Sequence, residues 1–199
     1  MLNLDNKIYV VAAWIGIAVL AAALVLLVLR GSWLNALLLG AFLAAATAFV
    51  AFDQRLPSLF DLLFVVAALL NAVGWTWQAY TGIPGYDEFA HFFTSFTVTL
   101  SLGFLVYRSI REPFRQHRLH FVLVITSFGI SLGAFWEIFE WAILRELINP
   151  VVDIIMDSLG AVLAGFAAAW FLGVESEPDR AASSRARSAP PATSEIAGR

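Results

Sequence analysis

The stretch Gly133–Gly160 reads GAFWEIFEWAILRELINPVVDIIMDSLG. It places Glu137, Glu140, Asp153 and Asp157 in otherwise apolar sequence, on two segments joined by the break Asn149-Pro150. The apolar run before Glu137 and the one after Asp157 are each long enough to cross a bilayer once their acid-bearing ends are included. The four acids therefore fall at membrane depth. Carboxylates there are costly and are kept where they serve a purpose.

Composition agrees with a membrane reading. The chain has 199 residues, of which 60% are hydrophobic and 14% charged, with a mean hydropathy of +0.80. A soluble domain of this length rarely reaches such values. The absence of cysteine excludes disulfides, thiolate metal sites and cysteine nucleophiles. A metal would be held by imidazole, carboxylate, carbonyl or water, which suits Mg, Mn, Ca, Fe or Zn. The net charge of −3 points away from nucleic acid. Lys7 is the one basic side chain ahead of the first apolar run, and that run exceeds a signal h-region. The reading is a retained first span.

Working outward, the sequence predicts six spans: Ile8–Leu29, Trp33–Phe52, Leu59–Tyr80, Phe89–Tyr107, Leu119–Leu144 and Val151–Leu172. Pro57 fits just before a helix start, and Thr81-Gly82-Ile83-Pro84-Gly85 cannot continue one. The expected fold is all-α, a polytopic membrane helix bundle filling residues 1–174. Residues 175–199, rich in Ser, Ala, Pro and charge, are expected to form a disordered tail.

Six crossings put both termini on one side. That side gathers Lys7, Arg55, Arg108, Arg111, Arg115, Arg118 and four tail arginines, against Arg30 and Arg145 on the other. By the positive-inside rule the termini face the cytoplasm. Asp87 and His91 then open the fourth span at the outer face, Glu137 and Glu140 close the fifth there, and Asp153 and Asp157 open the sixth. At helical rise all lie within roughly 10 Å of the outer interface. Each pair is three or four residues apart and shares a helix face. Gly129, Gly133, Gly160, Ala161 and Ala164 beside them would let helices pack closely, so the acids face the bundle.

With Glu88 there are six acids near one cation, Arg145. Either several are protonated or a bound cation neutralises them. One imidazole among carboxylates suits a divalent metal (Zn, Mn, Mg or Fe) with open water positions. Asp87, His91, Glu137, Glu140, Asp153 and Asp157 are the expected ligands, with Arg145 free to meet a substrate or lipid headgroup. A ferritin-like di-iron centre would want two Glu-x-x-His motifs, and the Glu-x-x-Glu pair here has no histidine. His117 and His120, in the basic loop, are read as partners of anionic lipid headgroups. Thr94, Ser95, Thr97, Thr99 and Ser101 are read as interhelical hydrogen bonders, and Asn71 and Gln78 as sharing a face toward the same outer site.

Tyr86-Asp87-Glu88-Phe89-Ala90-His91, Glu137-Ile138-Phe139-Glu140-Trp141 and Asp153-x-x-x-Asp157-Ser158-Leu159-Gly160 resemble, in order and spacing, the bacterial YjdF-like family of inner-membrane proteins. The resemblance covers about Asp53 to Phe171 and implies a multi-pass protein of the bacterial inner membrane. It carries over no activity. A looser likeness links the chain to VanZ-like proteins, which implies envelope or antibiotic-response biology. Pro150-Val151-Val152 and Trp141-Ala142 depart from that pattern, which often has an Arg ahead of its paired acids and a Gln after its Glu.

Three functions compete on this reading. The first is a metal-dependent membrane enzyme acting on a lipid or lipid-linked substrate, although Gly-x-Ser-x-Gly, His-Glu-x-x-His and Walker A motifs are all absent. The second is a proton- or cation-coupled transporter, which would want a polar route continuing inward. The third is a structural membrane protein with a buried polar network. Membrane lipids are the expected partners in each case.

Overall fold

The structure, a computed structural model, describes residues 6–52, 56–109, 117–144, 150–171 and 173. Six long helices account for nearly all of them. They are α1 (Lys7–Leu29), α2 (Trp33–Phe52), α3 (Ser58–Trp77), α5 (Tyr86–Ser109), α6 (Arg118–Phe139) and α7 (Pro150–Phe171), with the short α4 (Ala79–Gly82) between α3 and α5. A π-helical turn, Glu140–Leu144, continues α6. Among the described residues there is no strand, and five of the long helices are long and apolar enough to cross a bilayer. The exception, α5, is as long as the others but carries the most polar residues. The molecule is an all-α polytopic membrane bundle.

Local chemistry sets the helix ends. The Asn6 side chain accepts from the Ile8 amide and caps α1. Pro150 takes the first position of α7, where a missing N–H costs nothing. Asp87 and Glu88 in the first turn of α5, and Asp153 in that of α7, complement the positive end of the helix dipole. The Asn6 amide donates to Ser58 Oγ at 2.9 Å, and that hydroxyl donates back to Asn6 O at 3.2 Å. The starts of α1 and α3 therefore lie side by side, as two intervening crossings require.

The third span differs from the expectation at its end. It stops at Trp77, where Gln78 adopts a left-handed conformation with φ of 54°. The chain then doubles back through α4, and the Tyr80 ring lies against Gly74, where any side chain would collide with it. Gln78 is exposed and does not share a site with Asn71.

Two cores result. One is built from α1, α2 and α3 around Leu20, Leu39 and Val65. The other joins α3, α5, α6 and α7 around Phe60, Leu100, Phe121 and Ala164. The α5–α7 and α6–α7 interfaces are the most extensive among the described residues. They depend on small residues: a Cβ at Gly160 would collide with the Phe92 carbonyl oxygen and lie 2.9 Å from the Phe96 nitrogen. Without a hydrophobic drive between helices in lipid, such close approach is the main source of association. Arg145, Asn149, most of the basic loop and the 175–199 tail lie outside the described residues.

Candidate metal centre

His91 sits one turn into α5, with its ring between carboxylates from three helices. Its Nε2 is 3.6 Å from Asp87 Oδ1 on the preceding turn. Its Nδ1 is 3.8 Å from Glu137 Oε1 on α6 and 3.4 Å from Asp157 Oδ1 on α7. Asp153 joins Asp87 and His91 in one potential ligand trio, and Glu137 with Asp157 joins His91 in a second. In each trio the donor atoms lie within 4.8 Å of one another. Glu137, Asp153 and Asp157 are all buried.

The sequence places these groups through three local arrangements. Gly133 stands where α6 passes Asp157, and a Cβ there would come within 2.6 Å of Asp157 Oδ2. Ser95 Oγ donates to the Asp157 carbonyl at 2.8 Å, tying α7 to α5 one turn below His91. On the other flank Tyr80 OH donates to Asn71 Oδ1 at 2.9 Å, and Asn71 Nδ2 donates to Thr94 Oγ1 at 2.8 Å. This chain fixes α5 against α3 and was hidden in the sequence, because Tyr80 turns inward only through the left-handed Gln78.

The distances suit a shared ion better than paired hydrogen bonds. All three exceed the usual N–H···O range of about 2.7–3.2 Å. A tetrahedral ion with bonds of about 2.1 Å holds its donor atoms about 3.4 Å apart. Glu137 Oε1 is buried and has no hydrogen-bond partner. A buried carboxylate oxygen left in that state is a substantial cost unless something cationic meets it. Because one ring nitrogen faces Glu137 and Asp157 while the other faces Asp87, the imidazole can hold an ion on one side. Its second nitrogen can then be oriented by a carboxylate on the other, as metal-bound histidines usually are.

Of the six residues expected as ligands, five come together in the two trios. Glu140 falls in neither. It begins the π-helical turn and is half-buried. Arg145 lies outside the described residues. His117 and His120 are exposed at the start of α6, with ring centroids 5.2 Å apart, at the opposite end of that helix from Glu137. Of the α5 hydroxyls, Thr94 and Ser95 bond across helices, while Thr97, Thr99 and Ser101 are buried. Asp61, a buried carboxylate in the first turn of α3, escaped the sequence reading. Its signal was Pro57 followed by Ser58 and an acid in a helix start, which reads as ordinary capping.

A cavity of about 270 Å³ opens beside His91. Asn71, His91, Thr94, Ser95 and Asp157 line its polar end, and Phe42, Val98, Leu132, Phe135 and Trp136 line most of the rest. Among the described residues, no Lys or Arg side chain lines it.

A family model described as "Predicted membrane protein (DUF2238)" matches residues 9–174, and the chain belongs to that family. The YjdF-like resemblance leads to the same family, of which YjdF is a member, whereas the likeness to VanZ-like proteins finds no support. No curated protein and no solved structure matches the chain.

Proposed function

We propose that this multi-pass membrane protein binds a divalent metal ion between α5, α6 and α7, and that it is a metal-dependent enzyme acting on a lipid or lipid-linked substrate. His91, Glu137 and Asp157 are the first ligands, and Asp87 orients the far nitrogen of His91. The observation that carries the reading is the His91 Nδ1 position, 3.4 Å from Asp157 Oδ1 and 3.8 Å from Glu137 Oε1, a buried oxygen that accepts no hydrogen bond. Asp153 completes the alternative trio across the ring. A divalent ion there would polarise a phosphoryl or carbonyl oxygen or activate a water. The membrane is the bacterial inner membrane, with the site toward its outer face and both chain ends in the cytoplasm.

Metal analysis of the purified full chain tests this directly. The wild type should carry near-stoichiometric metal, while His91→Ala and Asp157→Asn should not. A wild type without metal after handling free of chelators would end the proposal.

Cation- or proton-coupled transport is a second reading, favoured by a particular observation. Buried Thr97 and Ser101 continue down α5 from the site, and buried Asp61 sits toward the opposite end of α3. Uptake driven by a cation or proton gradient in proteoliposomes would favour it over the enzyme.

A further inference from the structure

The cavity beside His91 has a direction. His91 marks its polar end near the start of α5, and Thr99 lies eight residues further along, about 12 Å deeper at helical rise. Beyond Thr94 and Ser95 the lining is mostly apolar, through Val98 of α5, Phe42 of α2 and Leu132 of α6, with the Thr99 hydroxyl as the one polar group beside them. A lipid in the leaflet on that side has the same order, polar head first and hydrocarbon toward the midplane.

The cavity also has a side entrance. The two halves of the bundle meet mainly along α3 and α5, and the major packing contacts do not include α2 against α6. The cavity occupies that gap, with Phe42 on one bank and Leu132, Phe135 and Trp136 on the other. Phe135 is 69% exposed and Leu132 36%, so this bank faces outward to the surrounding hydrocarbon. At this depth the hydrocarbon tails of the bilayer are the solvent that an apolar cleft meets.

Charge selects the head. Asp87, Glu137, Asp153 and Asp157 surround His91, and no Lys or Arg among the described residues lines the cavity. One divalent ion leaves carboxylate in excess, so a net anionic head is repelled and an ammonium is attracted. We infer that the cleft admits a membrane lipid laterally between α2 and α6, with one hydrocarbon chain against Phe42, Val98 and Leu132 and a zwitterionic, ammonium-bearing head at the His91 cluster. This deepens the lipid-substrate reading above and rests on it for the head, while the chain slot stands on the cavity alone.

Photolabelling in vesicles tests it. The full chain is reconstituted with phosphatidylethanolamine carrying a mid-chain diazirine, and adducts are mapped by mass spectrometry. Wild type should label on the peptides containing Phe42, Val98 and Leu132. Val98→Trp and Leu132→Trp, which fill the slot from different helices, should each lose those adducts while keeping the labelling of lipid-facing Trp14 and Ile15 on α1. A phosphatidylglycerol probe should label the slot less. Slot labelling that survives both substitutions overturns the inference, and equal labelling by the two lipids overturns the head assignment. Metal content of the same preparations separates the two claims. Slot labelling without metal removes the metal centre alone, and metal without slot labelling removes the lipid alone.

Discussion

Gly133 is the residue on which the proposed metal centre most depends without being a ligand. A Cβ there would lie 2.6 Å from Asp157 Oδ2 and 2.7 Å from Asp157 Cβ, so Gly133→Ala must shift Asp157 from its place beside His91. Metal affinity should fall about 10- to 100-fold, the usual effect of disturbing a ligand's support. Gly40→Ala, on α2 with nothing within 4 Å, should leave the affinity unchanged. Isothermal titration of the two variants checks the contrast, and equal affinities would remove Gly133 from the argument. Acid should act on the same ligands. His91 and the carboxylates must be deprotonated to bind, so the metal should dissociate as pH falls and return as it rises. Release on alkalinisation instead would contradict a carboxylate–imidazole site. At this scale the sequence was a good guide for Asp87, His91, Glu137, Asp153 and Asp157. Ionisable residues at three- and four-residue spacing stand out in apolar sequence, and helical geometry does the rest. Tyr80 was not legible, because its inward turn hangs on the φ of one residue, Gln78.

Between elements, the α5–α7 contact sets the geometry of the centre. Gly160 lets the helices approach until its Cα sits against the Phe92 carbonyl, one residue from His91, and Asp157 lies three residues before Gly160. Gly160→Ala should part the helices and lower stability by about 1–3 kcal/mol, the usual cost of overpacking. Because ligands from both helices move apart, metal should be lost in the same variant. Ser95→Ala removes only the hydrogen bond to the Asp157 carbonyl, which should cost about 0.6 kcal/mol in a membrane bundle. Thermal unfolding in detergent with metal analysis ranks the two, and a Gly160→Ala protein as stable as wild type would show that the helices do not meet there. Small residues flanking the acids made this packing foreseeable. The end of α6 was less so, since the π-helical turn that begins at Glu140 contains no proline or glycine to announce it.

At the scale of the whole molecule, the two cores and the gap between α2 and α6 give the bundle an asymmetry that no single helix pattern contains. The cleft exists because α1–α3 and α5–α7 pack as groups and meet along α3 and α5. Helix periodicity reports which face is apolar, not which two distant helices are left apart. Sidedness, by contrast, follows from charge. Lys7 and Arg118 stand at the starts of α1 and α6, at the end of the bundle away from the His91 cluster. By the positive-inside rule this end is the proposed cytoplasmic face. The chain contains no cysteine, so single cysteines can be introduced without background. Ile83→Cys lies in the exposed turn between α4 and α5, and His117→Cys at the exposed start of α6. In intact cells stripped of outer membrane, an impermeant maleimide should label position 83 at once and position 117 only after lysis. The reverse pattern would turn the metal centre toward the cytoplasm. The lipid entering between α2 and α6 would then come from the inner leaflet, and the same photolabelling with leaflet-restricted probes would report it.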